Sequence, residues 1–126
     1  MAEYFSEATD PMIVCPCGCG KSLSEPFLAH MDRLREACGF PLVVNSGFRC
    51  PDYNEKISHT GRTGPHTIGA VDFAVCFEHA FTLVSVAFDQ GWTGIGINQR
   101  GDAAKRFVHL DRLSPVDHPR PRIWTY

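Results

Sequence analysis

Two stretches of the chain hold residues whose types and spacing could do chemistry. GRTGPHTIGAVDF, from Gly61 to Phe73, contains His66 and Asp72, and Phe107-Val108-His109-Leu110-Asp111 contains a second imidazole and a second carboxylate. Neutral imidazole nitrogen and carboxylate oxygen are ligands that zinc prefers, and a catalytic zinc keeps one position open for water. His66, Asp72 and His109 would leave one bound Zn2+ per chain with a net positive charge, which lowers the pKa of a water there toward ~7. Asp111 follows His109 by two residues. On a strand that spacing puts both side chains on one face, about 6–7 Å apart along the backbone, so Asp111 could take a proton from the water and pass it on. Upstream, Ser46-Gly47-Phe48-Arg49 ends in a guanidinium suited to a substrate carboxylate or a developing oxyanion. Ser46 and Arg49 are the expected substrate contacts, and Arg49 and Asp111 the expected catalytic groups.

Each of these residues also has a plainer reading. A histidine in an apolar strand is more often a hydrogen-bonded core residue than a ligand. Asp72 could cap a turn, or pair with Arg49 or Arg62. An ion pair of Asp111 with Arg112 or Arg122 would remove it from the reaction. His30, His59, His79 and His118 read as surface or structural residues, with His79 near enough to Asp72 to be a reserve ligand. The chemical reading rests on the two stretches occurring together with the Ser46–Arg49 motif.

The elements that must position these groups follow from pattern. Ser24 as N-cap, Pro26 in the first turn, apolar Phe27, Met31, Leu34 and Cys38 at helical steps, and Gly39 as a stop predict a helix. Residues 40–45 predict a strand, and residues 51–56 a short helix. Residues 58–65 are polar and glycine-rich, a loop signal. Ala70 to Val75 predicts a strand with Val71, Phe73 and Val75 on one face and Asp72 on the other. A second helix is predicted over residues 78–90, with Phe81, Val84 and Phe88 on its apolar face and Gly91 as its stop. Residues 92–97 and 107–111 predict two strands joined by a polar turn, and the proline-containing tail reads as irregular. The order helix, strand, loop, strand, helix, strand, strand gives an α+β fold, a small and mainly antiparallel sheet with flanking helices.

At 126 residues the chain is long enough to form one domain, residues 1–126, with a core of its own. A formal net charge of −2 with scattered basic residues argues against nucleic-acid or membrane-surface binding. No apolar run approaches the roughly 18 residues of a membrane span. The first residues lack a basic start and a long apolar run, so synthesis in the cytoplasm without a signal peptide is expected, and a monomer is expected. Six cysteines without a secretory signal make disulfides a secondary expectation. Cys15, Cys17 and Cys19 have single-residue spacing, unlike the usual zinc-binding pairs, so a tight loop of small, partly buried thiols leads, with a disulfide or a second metal as alternatives.

Taken in order, Ser46-Gly47-Phe48-Arg49, the Pro51/Tyr53/Asn54 run, His66 with Gly69-Ala70-Val71-Asp72, Gly94-Ile95-Gly96-Ile97 and Phe107-Val108-His109-Leu110-Asp111 resemble the zinc D-Ala-D-Ala carboxypeptidase-like peptidases. That family includes L-alanyl-D-glutamate endopeptidases of phage lysins and shares its fold with the hedgehog signalling domain. The resemblance spans roughly residues 15–126. It implies His66, Asp72 and His109 as zinc ligands, Arg49 as the residue that steadies substrate or transition state, and the peptidoglycan stem peptide as substrate. It also implies action on the cell wall, in phage lysis or as a virion-associated protein. Five residues separate His66 from Asp72, where the family usually has six. The position three before the last histidine, a carboxylate in many relatives, is Arg106, while others carry a His-x-Asp arrangement like His109 and Asp111. The competing expectation is a non-catalytic metal-binding or virion structural protein that keeps the fold.

Overall fold

The computed structural model describes residues 3–126. Its centre is a sheet of five strands: β1 (Val43–Ser46), β2 (Ala70–Ala74), β3 (Gly94–Asn98), β4 (Phe107–Asp111) and β5 (Arg122–Thr125), in the spatial order β1-β2-β4-β3-β5. The pairs β1–β2, β2–β4 and β3–β4 are antiparallel. Three helices accompany the sheet: α1 (Glu25–Cys38), α2 (Pro51–Ile57) and α3 (Phe77–Asp89). The fold is α+β, as the order of sequence patterns implies.

Alternation decides which face of the sheet becomes core. Val71 and Phe73 of β2, Ile95 of β3, and Val108 and Leu110 of β4 are all buried and belong to one apolar cluster with Leu28, Met31 and Leu34 of α1 and Leu83 of α3. Each such side chain contributes about 1.5–3 kcal/mol when removed from water. The intervening residues, Asp72, Gly94, Gly96, His109 and Asp111, must then face the other way. One face of the sheet holds α1 and α3 and the other is left for chemistry.

Helix α1 begins and ends where its sequence signals lie. The Ser24 side chain accepts from Phe27 N at 3.3 Å, and Gly39 adopts φ 76° while its N–H donates to Arg35 O, a left-handed stop that a side chain would disfavour.

Helix α3 turns a different stripe inward from the one the large apolar residues mark. Ala80, Leu83 and Ala87 are buried, whereas Phe81 is 77% and Phe88 59% exposed. The two stripes lie one residue apart around the helix. Packing selects the one whose alanines let α3 approach α1, and the bulkier phenylalanines stay outside.

The tail is not irregular throughout. Residues 122–125 form β5, which adds to β3 in parallel with Gly94 opposite Arg122 and Gly96 opposite Trp124. Four residues preceded by Pro119 and Pro121 give too short a pattern to read. What holds the strand there is the free edge of β3.

The loop before α1 keeps its thiols free, some buried and some exposed, and gains a neighbour from elsewhere in the chain. Cys15, Cys17 and Cys19 do not form an isolated thiol loop: Cys50, the residue before α2, joins them, and the four sulfurs lie within 4.8 Å of one another. All six cysteines are free.

Candidate metal centre

The two central strands put the key pair face to face, because Asp72 lies directly opposite His109 in the β2–β4 register. His66 arrives from outside the sheet. A single 3-10 turn, Pro65–Thr67, folds the chain back, with Thr67 N donating to Gly64 O at 3.0 Å and Gly69 N to Pro65 O at 2.9 Å. The turn takes up the slack between positions 66 and 72, so the five-residue spacing still brings His66 Nε2 to 3.4 Å from Asp72 Oδ1. Gly64 allows the fold-back, since a Cβ there would meet Thr60 Oγ1 at 2.0 Å.

Hydrogen bonds on the far sides of the rings fix which nitrogen faces inward. His66 Nδ1 lies 2.7 Å from Gly47 O. A carbonyl only accepts, so Nδ1 carries the hydrogen and the Nε2 lone pair faces Asp72. His109 Nε2 lies 2.8 Å from Asp111 Oδ2 and its Nδ1 lies 3.0 Å from Asp72 Oδ1. Both partners are carboxylates, but Asp111 stands behind the ring and Asp72 on the His66 side, so Nε2 donates to Asp111 and Nδ1 is the nitrogen that a cation would take in place of a proton. One donor atom each from His66, Asp72 and His109 falls within 4.8 Å of the others. Ligating histidines typically donate their remote N–H to a carbonyl or a carboxylate, and both do so here. The donor set therefore fits a zinc ion in type, number and orientation.

A sequence model described as Peptidase M15 matches residues 12–111, well over half of the chain. The chain belongs to the Peptidase M15 family. No curated protein and no solved structure matches it. The family is one of zinc-dependent metallopeptidases, in keeping with the donor set at the sheet face. Its match ends at Asp111, so Arg120 and Trp124 lie beyond the matched residues.

In this M15 member the carboxylate of Asp111 is enclosed, with 0% exposure. Oδ1 accepts from Arg120 Nε at 2.9 Å and from Leu113 N at 3.3 Å. Oδ2 accepts from Arg120 Nη2 at 2.7 Å and from His109 Nε2. Both oxygens are committed, and neither opens to the space where a substrate's water would lie. The expectation that Asp111 receives a proton from that water does not fit this geometry. Burial alone would raise its carboxyl, but the Arg120 and His109 hydrogen bonds outweigh burial and hold it well below the usual carboxylate range. Asp72 behaves alike: burial raises it, and His109 and His66 more than offset the rise. His109 is pushed upward, because Asp111 and Asp72 outweigh the lowering by burial.

Arg120 is the residue that sequence reasoning missed. Arg112 and Arg122 were the candidate partners for Asp111, yet Arg112 Nη1 donates to Gln90 O at 3.0 Å and Arg122 sits over the Trp124 ring. The one signal pointing to Arg120 was that a buried Asp111 would need a cation. Room for the pair comes from β3. A Cβ on Gly94 would meet Asp111 Oδ1 at 2.2 Å, and one on Gly96 would meet the Trp124 ring at 2.6 Å. Trp124 in turn lies 5.0 Å from the His109 ring, centroid to centroid. Arg62, a possible structural partner for Asp72, instead pairs with Asp52. His79 stacks on Phe40 at 3.8 Å, away from the centre.

The donor atoms open into a cleft of about 330 Å3 whose walls include Arg49, His118, Arg122, Trp124 and Tyr126. Ser46 lies outside that lining; it ends β1, paired with Asp72 across a bulge. Arg49 is half-buried, and its Nε finds no acceptor among the described residues. Burial lowers its pKa, with Asp72 opposing. A guanidinium with an unused donor beside a candidate metal centre is ready for an external acceptor. His118 Nε2 lies 2.8 Å from Thr63 O, so it donates there, and Nδ1 has no hydrogen-bond partner among the described residues.

Proposed function

We propose that this M15 family member is a zinc peptidase that hydrolyses a peptide bond in the stem peptide of bacterial peptidoglycan, of the D-Ala-D-Ala carboxypeptidase or L-Ala-D-Glu endopeptidase type, in a setting such as phage lysis or entry. The observation that carries the reading is the convergence of two oriented imidazole nitrogens and one carboxylate oxygen at a cleft bordered by Arg49, whose Nε has no acceptor among the described residues. Zinc held by His66, Asp72 and His109 would supply Lewis-acid polarisation of the scissile carbonyl and a lowered pKa for the attacking water. Arg49 binds the substrate's carboxylate or the oxyanion that develops from the carbonyl. His118, with Nε2 donating to Thr63, receives the water's proton at Nδ1 and returns it to the leaving amine. Asp111 and Arg120 act through His109: they hold its ring so that Nδ1 faces Asp72. Tyr126 and Trp124 form the apolar wall against which the peptide lies.

A second reading, a metal-binding protein without catalysis, is favoured by the enclosure of Asp111, which leaves His118 as the one imidazole lining the cleft outside the ligand set. One experiment separates the two. Zinc-loaded protein is incubated with purified peptidoglycan and the products are read by mass spectrometry. Loss of a terminal D-Ala marks the carboxypeptidase cut, and separation of L-Ala from D-Glu marks the endopeptidase cut. Arg49→Ala should lower kcat/KM by roughly 10²–10³-fold and His118→Ala by about 10²–10⁴-fold, both with zinc retained. Fully loaded wild type that releases neither product would leave the binding reading in place.

A further inference from the structure

We propose that Cys15, Cys17, Cys19 and Cys50 form a second metal site, a closed four-thiolate centre for a structural zinc ion, separate from the cleft and independent of the peptidase reading.

The sulfurs are spaced for a shared ion and not for bonds to one another. Cys15 Sγ lies 3.4 Å from Cys17 Sγ, and Cys17 Sγ lies 3.6 Å from Cys50 Sγ. A disulfide would need ~2.05 Å. Four thiolates on one zinc at ~2.3 Å form a tetrahedron with edges of about 3.8 Å. Both measured separations are close to that edge, and the whole set falls within 4.8 Å.

Single-residue spacing reaches this geometry because the loop doubles back. Gly18 and Gly20 adopt φ of 86° and 83°, left-handed values that other residues avoid. Cys15 N donates to Lys21 O at 2.8 Å, Gly18 N donates to Cys15 O at 3.3 Å, and Val14 bridges to Ser22. The three thiols of the loop therefore share one concave side, and Cys50 closes it from the start of α2. Backbone donors are already in place for sulfur ligands, with Cys50 N 3.3 Å from Cys15 Sγ and Tyr53 N 3.4 Å from Cys50 Sγ. Such N–H donors stabilise thiolate charge around a metal. Cys15 and Cys50 are buried and Cys17 and Cys19 exposed, so an ion can enter from solvent. With four protein ligands no position stays open for water, which makes the site structural. On binding, the zinc replaces the thiol protons, which pass to solvent, and no electron moves.

The consequence reaches the cleft through the backbone. The ion ties the loop to Cys50, the residue after Arg49. The residues flanking that loop pack on Gly47, where a Cβ would meet Met12 O at 2.6 Å and Leu23 Cδ1 at 3.2 Å, and Gly47 O is the acceptor that orients His66. The four-thiolate centre is the clamp that holds the Gly47–Cys50 segment in register.

The test is metal content and thiol protection of the full chain, prepared reduced and reconstituted with zinc. Wild type should hold about two zinc ions, and the Cys17→Ser/Cys19→Ser and Asp72→Ala variants about one each. Cobalt substitution should give a thiolate charge-transfer band that persists in Asp72→Ala and vanishes in the cysteine double variant. If that double variant fails to fold, the wild type still answers: Cys15, Cys17, Cys19 and Cys50 should resist alkylation until a chelator is added. One zinc in wild type, lost in Asp72→Ala, with Cys17 freely alkylated or linked in a disulfide, overturns the proposal. One zinc kept in Asp72→Ala but lost with the cysteines supports it and removes the metal from the peptidase site instead.

Discussion

The two nitrogens of His109 meet two carboxylates that do different work. Asp72 shares the space in which a cation would lie, and Asp111 stands behind the ring with Arg120. Replacing Asp111 by asparagine keeps its shape but leaves the Arg120 charge buried without a counter-charge, and it offers His109 Nε2 a weaker acceptor. Asp111→Asn should cost about 3–5 kcal/mol of stability in urea denaturation and weaken zinc by about 10–100-fold in chelator competition. Unchanged values in both measurements would show that the pair orients nothing. At this scale the meeting of His66, Asp72 and His109 was legible because their ligand types mark them, and Arg49, marked by its motif, lines the same cleft. Arg120 was not, because it lies nine positions beyond its partner in a tail without period, and only the enclosure of Asp111 in three dimensions demands it. The enclosure of Asp111 was not legible for the same reason: spacing gives the face of a strand, not what else occupies it.

Strand β3 shows what an element contributes when it gives up side chains. Its two glycines are hollows, one under Asp111 and one under Trp124. Gly94→Ala must displace a carboxylate fixed by four hydrogen bonds, so it should lower stability by roughly 1–3 kcal/mol and reduce zinc occupancy, read by calorimetry and elemental analysis. A Gly94→Ala protein with full zinc and unaltered melting would mean that the pair can shift without loss. Helices and central strands were readable to within a few residues because capping signals and alternation survive in one dimension. The inward stripe of α3 was not, because the sequence supplies two neighbouring apolar stripes and only the packing distance to α1 chooses between them. β5 was unreadable because its reason to exist is an edge made by β3, far away in sequence.

For the molecule as a whole, the buried charges set how stability follows pH. Asp72 and Asp111 have folded pKa values below their ordinary ones, so their contribution is present above about pH 4 and is lost as the pH falls below it. His109 is raised, so in the metal-free protein its contribution is complete below about pH 6.5 and is lost as the pH rises through its folded pKa. Metal-free protein should therefore melt highest between about pH 4 and about pH 6.5. Zinc takes the His109 lone pair that the proton would use, and proton competition fades as the pH rises. The gap in Tm between loaded and metal-free protein should widen from about pH 5.5 to about pH 8, measured by scanning calorimetry on matched samples. A constant gap across that range would mean that no ligand gives up a proton to the metal.

The two histidines at the centre are held by unlike partners, and this difference governs how the site can vary over evolutionary time. His66 leans on the main-chain carbonyl of Gly47, a group that no substitution deletes, at a position where the packed Met12 carbonyl leaves no room for a Cβ. His109 leans on a side chain. Drift and selection on metal affinity must therefore act through Asp111 and Arg120, while the His66 half of the site stays fixed as long as the backbone path is kept.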